Sequence, residues 1–438
     1  MSRFSETVAG GLSPRLRALG RQPAVQGGFL AAAMVVAGGF DYVVNIVVGR
    51  RLAPTEFFIF VTVTAVIQVM VQVTNVIRNV VAYYTAEATV EPDAPARVGD
   101  VLRRSWRWAV RWGFVAAILM ALLSPLLGRF LHIPTPWPLW AASFALLLLF
   151  LRPVTDGALQ GVQHFFGLGG VQMLQSLLRL VFAAAFLWLG AQSAGAVVAL
   201  PLGSTVALAL ALILLSRYFR APVPAGRPRT ISWRYSAYTL AGLLAFALMV
   251  NADPLVVRRF FGDDAAAAYA PVVTLGKMNL FVPLGIGLVL FPKATQRRAA
   301  GRDPRPVLLL ALAATLLPGL LLTVLYWLWP AEIVRLVFGP AYTDPGILLA
   351  MVGLATTFYA AVNIWLLYAL SLERRAYVAA LVVIVTGQIM SMVLFHAQLE
   401  TIAAIMIAAG LLGNLAGAFL TLGGRRAISG TIEPAEPR

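Results

Sequence analysis

The segment "SRYFRAPVPAGRPRTISWRY" (Ser216–Tyr235) is the longest Pro- and Arg-rich break in the chain. Proline lacks the backbone N–H and disfavours helix at the residue before it, so a helix does not run through this stretch. On both sides the chain turns apolar. Over 438 residues it is 60% hydrophobic and 12% charged, where a soluble domain carries about 25% charged residues. Apolar runs of spanning length, about 20 residues, recur throughout. Hydropathy and loop breakers place about twelve spans, near 25–48, 57–83, 108–129, 138–160, 167–190, 193–215, 236–258, 266–291, 307–329, 346–369, 376–395 and 401–422. The break divides them six and six. The expected fold is an all-α polytopic membrane protein. Its parts are an N-terminal segment (1–24), an N-terminal lobe (25–215), a linker (216–235), a C-terminal lobe (236–422) and a tail (423–438).

The net charge of +16 suggests nucleic acid in a soluble protein. Here the placement of Lys and Arg gives another cause. With both termini in the cytoplasm, the inner segments hold twenty-four of the 34 Lys and Arg, the outer loops six and the spans four. That is the positive-inside pattern, facing anionic lipid, and no nucleic acid is needed. The expected location is a bacterial plasma membrane. The first apolar run is longer than a signal-peptide core and no small-residue cleavage site follows it, so it reads as the first helix.

Several chemistries are excluded. Without cysteine there is no disulfide, thiol catalysis or thiolate metal site. His132, His164 and His396 lie apart, at predicted helix ends or in short loops, without metal-ligand spacing. No phosphate-binding loop of the G-x-x-x-x-G-K-[ST] type occurs. No cofactor and no metal are expected. The longest outer loop, about 330–345, is too short to hold an acceptor as a membrane glycosyltransferase or ligase does. The chain reads as a device that moves something and not as an enzyme.

A weak internal repeat accompanies the six-plus-six count. "RRLAPTEFFIF" (Arg50–Phe60) follows the first span and "RFFGDDAAAAY" (Arg259–Tyr269) the seventh. Six spans per half point both halves the same way, the parallel-repeat arrangement with an axis along the membrane normal.

Three stretches carry a family resemblance. "NIVVGRRLAPTEFF" (Asn45–Phe58) resembles the segment after the first helix of polysaccharide-type flippases. "GALQGVQHFFGLG" (Gly157–Gly169) is similar to their signature between helices four and five. The long run from Asn251 to Lys293 resembles their helix seven to eight region, including its Asp, its aromatic turn and the closing Phe-Pro-Lys. The chain thus resembles the polysaccharide transporter (oligosaccharide flippase) family of the multidrug/oligosaccharidyl-lipid/polysaccharide (MOP) flippase superfamily over nearly its whole length. It departs at Ala267-Ala268-Tyr269, where members often have Gly-x-Tyr. The resemblance implies two pseudo-symmetric six-helix lobes around a central cavity opened alternately to each side, and a cargo of isoprenoid-diphosphate-linked saccharide. Polysaccharide polymerases or ligases are then candidate partners, besides membrane lipids.

Polar residues inside spans are costly and mark partners or water-filled spaces. Gln68, Gln72, Asn75 and Asn79 share one helical face of the second span. They read as a cavity wall, with helix–helix hydrogen bonding the bland alternative. Arg78 beside them either meets the diphosphate or reaches for lipid headgroups. Gln172, Gln175, Ser176 and Arg179 repeat the pattern in the fifth span. Arg179 is the first candidate for an anionic headgroup, and its alternative is a buried pair with Asp156 or Asp41. Arg152 and Asp156, four apart, read mainly as a mutually neutralising pair. Lys277 corresponds to Gln68 through the repeat and is a cavity candidate. Asp41, Asp253 and Asp156 are candidate sites for coupling to H⁺ or Na⁺. Four intramembrane cations face three carboxylates, an excess that favours an anionic cargo, since bidentate Arg suits phosphate oxygens. The expected function is a lipid-linked oligosaccharide flippase moving its cargo from the cytoplasmic to the outer leaflet, driven by an ion gradient or the membrane potential. The alternatives are a drug/cation antiporter of the same superfamily and a non-transporting subunit of a polysaccharide export complex.

Overall fold

A computed structural model describes residues 23–222, 233–280, 305–342, 344–372 and 374–422. Among the described residues the regular structure is helical throughout. In order the helices are α1 (Pro23–Arg51), α2 (Pro54–Thr89), α3 (Ala94–Phe130), α4 (Trp137–Gly161), α5 (Phe165–Trp188), α6 (Gln192–Phe219), α7 (Trp233–Phe260), α8 (Asp263–Gly276), α9 (Arg305–Leu328), α10 (Pro330–Phe338), α11 (Ile347–Ser371), α12 (Arg375–Leu394) and α13 (Leu399–Gly417). Eleven helices among the described residues are long and apolar enough to cross a membrane. The expected span 266–291 begins as α8 and a 3₁₀ turn, Lys277–Leu280. The rest of that span lies outside the described residues, as do the expected linker's middle and the tail.

The helices form two compact units. The first holds Met1–Ser236 with two later segments, Phe261–Pro271 and Arg335–Tyr342. The second holds Ala237–Phe260, Val272–Val334 and Thr343–Arg438. In the first unit α4 is the buried helix, packed by α2, α3 and α6, while α5 sits between α1 and α6. In the second, α11 takes that place against α9, α12 and α13. By contrast, one side of α3 exposes Phe114, Val115, Ile118, Leu119, Leu122 and Leu126. That is an apolar stripe at helical spacing, suited to lipid.

The "GALQG" stretch is explained by packing. A Cβ on Gly157 would strike the carbonyl oxygen of Arg78, and one on Gly161 would lie 2.6 Å from Cβ of Thr85. Small residues let α4 close on α2. In the same stretch His164 caps α5: its Nδ1 accepts from the Gly167 N–H at 3.0 Å.

Two expected boundaries are corrected. The third span was expected from 108, yet α3 starts at Ala94. Its front part is too charged for a hydropathy window, but it is a good amphipathic helix. Arg104 pairs with Asp100 one turn away at 2.9 Å, as i, i+4 partners do. The region about 330–345, expected as loop, opens with α10. Proline at its first position, Glu332 in its first turn and Arg335 in its last all agree with helix-end preferences. The Arg335–Tyr342 segment then docks inside the first unit. Arg50 Nε donates to the Val337 carbonyl at 2.6 Å, and Arg50 Nη2 donates to Leu336. Tyr342 donates to the Gly49 carbonyl at 2.7 Å. Burial pushes the Tyr342 phenol up, so it remains the donor.

Candidate functional site

In the first unit the polar residues of α5 divide between two carboxylates. Arg179 Nη1 donates to Asp41 Oδ1 at 2.8 Å, and Ser176 Oγ to Asp41 Oδ2 at 3.0 Å. Gln172 Nε2 donates to Asp156 Oδ2 at 3.0 Å. The same oxygen accepts from Arg152 Nη2 at 3.2 Å. The i, i+4, i+7 spacing on α5 puts all three donors on one face, so α5 links α1 to α4 through their acids. Arg78 on α2 lies within reach of the Asp156 charge. The row therefore runs through Asp41, Arg179, Gln172, Asp156, Arg152 and Arg78, drawn from four helices.

The two acids differ in setting. The Arg152 and Asp156 side chains are only 7% and 8% exposed, and Asp41 is 39% exposed against 8% for its partner Arg179. Asp156 Oδ1 has no hydrogen-bond partner among the described residues, nor do Nε of Arg78, Nε of Arg179, and Nε and Nη1 of Arg152. Buried polar groups are normally satisfied. Several donors here are left over for something else. Close helix contacts fix the arginines. Gly157 abuts the Arg78 carbonyl, and a Cβ on Gly203 of α6 would meet the Arg179 backbone nitrogen at 3.0 Å. Arg152 is followed by Pro153 inside α4, which takes one N–H out of the helical ladder at that depth.

The α2 stripe lies apart from this row. Gln68 and Asn79 are exposed, Gln72 and Asn75 half-buried, while Ile67 and Val69 on either side of Gln68 are buried. Asn75 Nδ2 donates to Gln72 Oε1 at 3.1 Å, so two amides pair along the stripe instead of reaching a neighbouring helix. Gln175 is half-buried on α5. The structure thus brings together Arg179 with Asp41, and Arg152 with Asp156 and Gln172. It leaves Gln68 and Asn79 on an open face.

The second unit is built otherwise. Lys277 stands where α8 tightens to 3₁₀, and its Nζ donates to Asn251 Oδ1 at 3.0 Å. Asp253 on α7 is fully buried, and its charge reaches both Lys277 and Tyr359 of α11. Gln388 of α12 donates to the Met249 carbonyl at 3.1 Å. The turn is pinned by its neighbours. Thr356 donates to the Gly276 carbonyl at 2.6 Å and Tyr326 to that of Leu275 at 2.9 Å. Asn279 Nδ2 donates to the Gly353 carbonyl at 2.8 Å and to Thr357 Oγ1 at 2.9 Å. Helix-end carbonyls at membrane depth need such partners.

Gln388, Tyr359, Thr356 and Asn279 are polar residues of this cluster that the sequence reading passed over. One signal was present: Arg50 to Arg259 in the repeated motif is a step of 209 residues, and the same step from Arg179 lands on Gln388. Among the described residues no group of three or more His, Cys, Asp or Glu is placed to hold a metal ion.

Helices in two units, eleven of them among the described residues long and apolar enough to cross a membrane, with ion pairs and amides inside them, define the class: a polytopic membrane protein. The chain belongs to the polysaccharide biosynthesis protein family, whose model matches residues 24–296. Among solved structures it is similar to an inward-facing multidrug resistance MATE transporter of the MOP superfamily. That match has a TM-score of 0.67 and 12% identity, over 91% of this chain and 98% of the other. It is similar as well to the lipid II flippase MurJ in an inward closed conformation, with TM-score 0.65 and 12% identity over 89% and 86%. A third is the eukaryotic MATE transporter AtDTX14, with TM-score 0.58 and 12% identity over 91% and 95%. No curated protein matches by sequence. The solved relatives are transporters and a flippase, not enzymes.

Proposed function

We propose that the protein flips an isoprenoid-diphosphate-linked saccharide from the cytoplasmic to the outer leaflet of a bacterial plasma membrane by alternating access. The observation that carries this is the charge of the first unit's buried row. Three arginines, Arg78, Arg152 and Arg179, share two carboxylates, Asp41 and Asp156, and several guanidinium nitrogens have no acceptor among the described residues. A diphosphate supplies acceptors of the right charge, and guanidinium binds it bidentately. Arg179 gives up Asp41 for the headgroup, while Arg78 adds a second contact. Lys277 contributes a point charge. The exposed amides of α2 suit a wet wall along which sugar hydroxyls pass, since amides facing lipid tails are unfavourable. The isoprenoid tail stays in lipid.

Asp41, held by Arg179 yet open to solvent, couples this exchange to H⁺ or Na⁺ or to the membrane potential. Asp253 is the corresponding candidate in the second unit. With both termini cytoplasmic, the Arg-rich side faces the anionic inner leaflet.

The test is a leaflet-resolved assay in proteoliposomes that carry the lipid-linked saccharide. Arg179→Ala abolishes flipping at an unchanged level of protein in the membrane. Because Asp41 is part-exposed, its loss of partner is tolerated. The double variant Asp41→Asn/Arg179→Gln removes the pair without leaving a charge, and it too is inactive if Arg179 contacts cargo. Wild-type flux in either variant would remove the diphosphate role from Arg179.

A further inference from the structure

Away from the buried row, the first unit has a pocket of about 1010 Å³ where α3 meets the C-terminal end of α6. Arg103, Arg104, Arg107 and Arg220 line it, with one carboxylate, Asp100. Two of the four guanidiniums are committed. Arg103 Nη1 donates to the carbonyls of Phe219 and Ala221 at 3.2 and 2.8 Å, which closes the end of α6. Arg104 pairs with Asp100 at 2.9 Å. Arg107 and Arg220 are exposed at the pocket. Arg107 spends only its Nε, on the Arg103 carbonyl at 3.4 Å.

The pocket has an apolar wall. Trp106 and Phe219 meet edge to face with ring centres 6.2 Å apart, and Leu212 continues the surface. The two helices are held close there: a Cβ on Gly99 would strike the carbonyl oxygen of Tyr218. A merely solvated basic face has no such wall. A soluble phosphate has no use for one.

We propose that this pocket binds the headgroup of an anionic phospholipid. The phosphate sits on Arg107 and Arg220, and the glycerol and upper acyl chain lie on Trp106, Phe219 and Leu212. Guanidinium pairs take phosphate oxygens bidentately, and basic pockets between spans at the inner face are where anionic headgroups dock. The site uses none of the residues assigned to cargo, so it stands or falls separately from the transport proposal.

Native mass spectrometry of the full chain, purified with an equal mixture of phosphatidylglycerol and phosphatidylcholine, tests this. The wild type retains phosphatidylglycerol in preference. Arg107→Gln/Arg220→Gln removes two exposed charges, leaves the buried packing alone, and lowers retained phosphatidylglycerol at least about fivefold, the effect of one basic contact. A control, Arg374→Gln/Arg375→Gln, removes two charges at the start of α12 and leaves retention unchanged. Equal retention of the two lipids by the wild type would overturn the proposal. So would equal loss in the two variants, which marks general surface charge. Displacement of the lipid by excess inorganic phosphate would reassign the pocket to a soluble anion.

Discussion

The polar interiors of the two units solve the same problem differently. In the first unit both acids of the buried row have an arginine, and arginines remain in excess: Asp41 with Arg179, Asp156 with Arg152, Arg78 nearby. In the second, one lysine stands on an amide at a pinned turn, above a fully buried aspartate. Guanidinium presents a planar fork for bidentate partners, and ammonium is a compact point charge. Under the proposed function, recognition of a phosphate-bearing headgroup falls to the first unit. The second unit, where α8 tightens into a hydrogen-bonded 3₁₀ turn, holds Lys277 within reach of the buried Asp253.

The largest expected effect that sharpens this contrast is within the first unit. Asp156→Ala leaves Arg152 buried without its carboxylate and lowers stability by about 3–5 kcal/mol. Arg179→Gln, which strands only the part-exposed Asp41, costs about 1 kcal/mol or less. Thermal unfolding in detergent measures both, and equal losses would erase the distinction between a structural pair and an exchangeable one. Next is packing. Gly161→Val puts two methyls against Thr85 and costs about 1–3 kcal/mol, with α4 displaced from α2 and flux reduced accordingly. In the second unit Lys277→Met loses one hydrogen bond, to Asn251, and leaves Asp253 with less compensation. It slows transport by roughly tenfold, as one charge-assisted bond of about 1.5–3 kcal/mol allows. Loss as complete as in Arg179→Ala would place the two units on an equal footing. The smallest effect on transport belongs to Arg50→Ala. It removes two exposed hydrogen bonds to Leu336 and Val337, worth about 1 kcal/mol each. Faster amide exchange in Arg335–Tyr342 reports it.

The sequence displayed the helices well and their partners less well. Hydropathy finds α1, α4 and α11 because each is a continuous apolar run. It misses the first turns of α3, where Arg97, Arg103 and Arg104 make an amphipathic helix read as loop. It misses α10 for lack of length. At the site, spacing alone put Arg152 with Asp156 and gathered Gln172, Ser176 and Arg179 on one face, because i, i+4 geometry is local. Which of Asp41 and Asp156 would hold Arg179 was left open, since that choice is set by how α5 packs between α1 and α6. The structure gives Arg179 to Asp41 and Gln172 to Asp156. Gln388, Tyr359 and Asn279 stayed hidden for the same reason. Each is one polar residue in an apolar helix, and its meaning lies in a carbonyl or a charge brought to it from a distant segment.

The sign of the cargo separates a flippase from a cation antiporter most directly. Vesicles containing the protein are given, side by side, an isoprenoid-diphosphate saccharide and a lipophilic cationic dye under an imposed ion gradient. A first unit that recognises a diphosphate transfers the diphosphate-linked saccharide between leaflets, loses that transfer in Arg78→Gln/Arg179→Gln, and leaves the dye inside. Dye efflux that depends on Asp41, with the saccharide left in its original leaflet, would contradict it and make the protein a cation antiporter on the same fold.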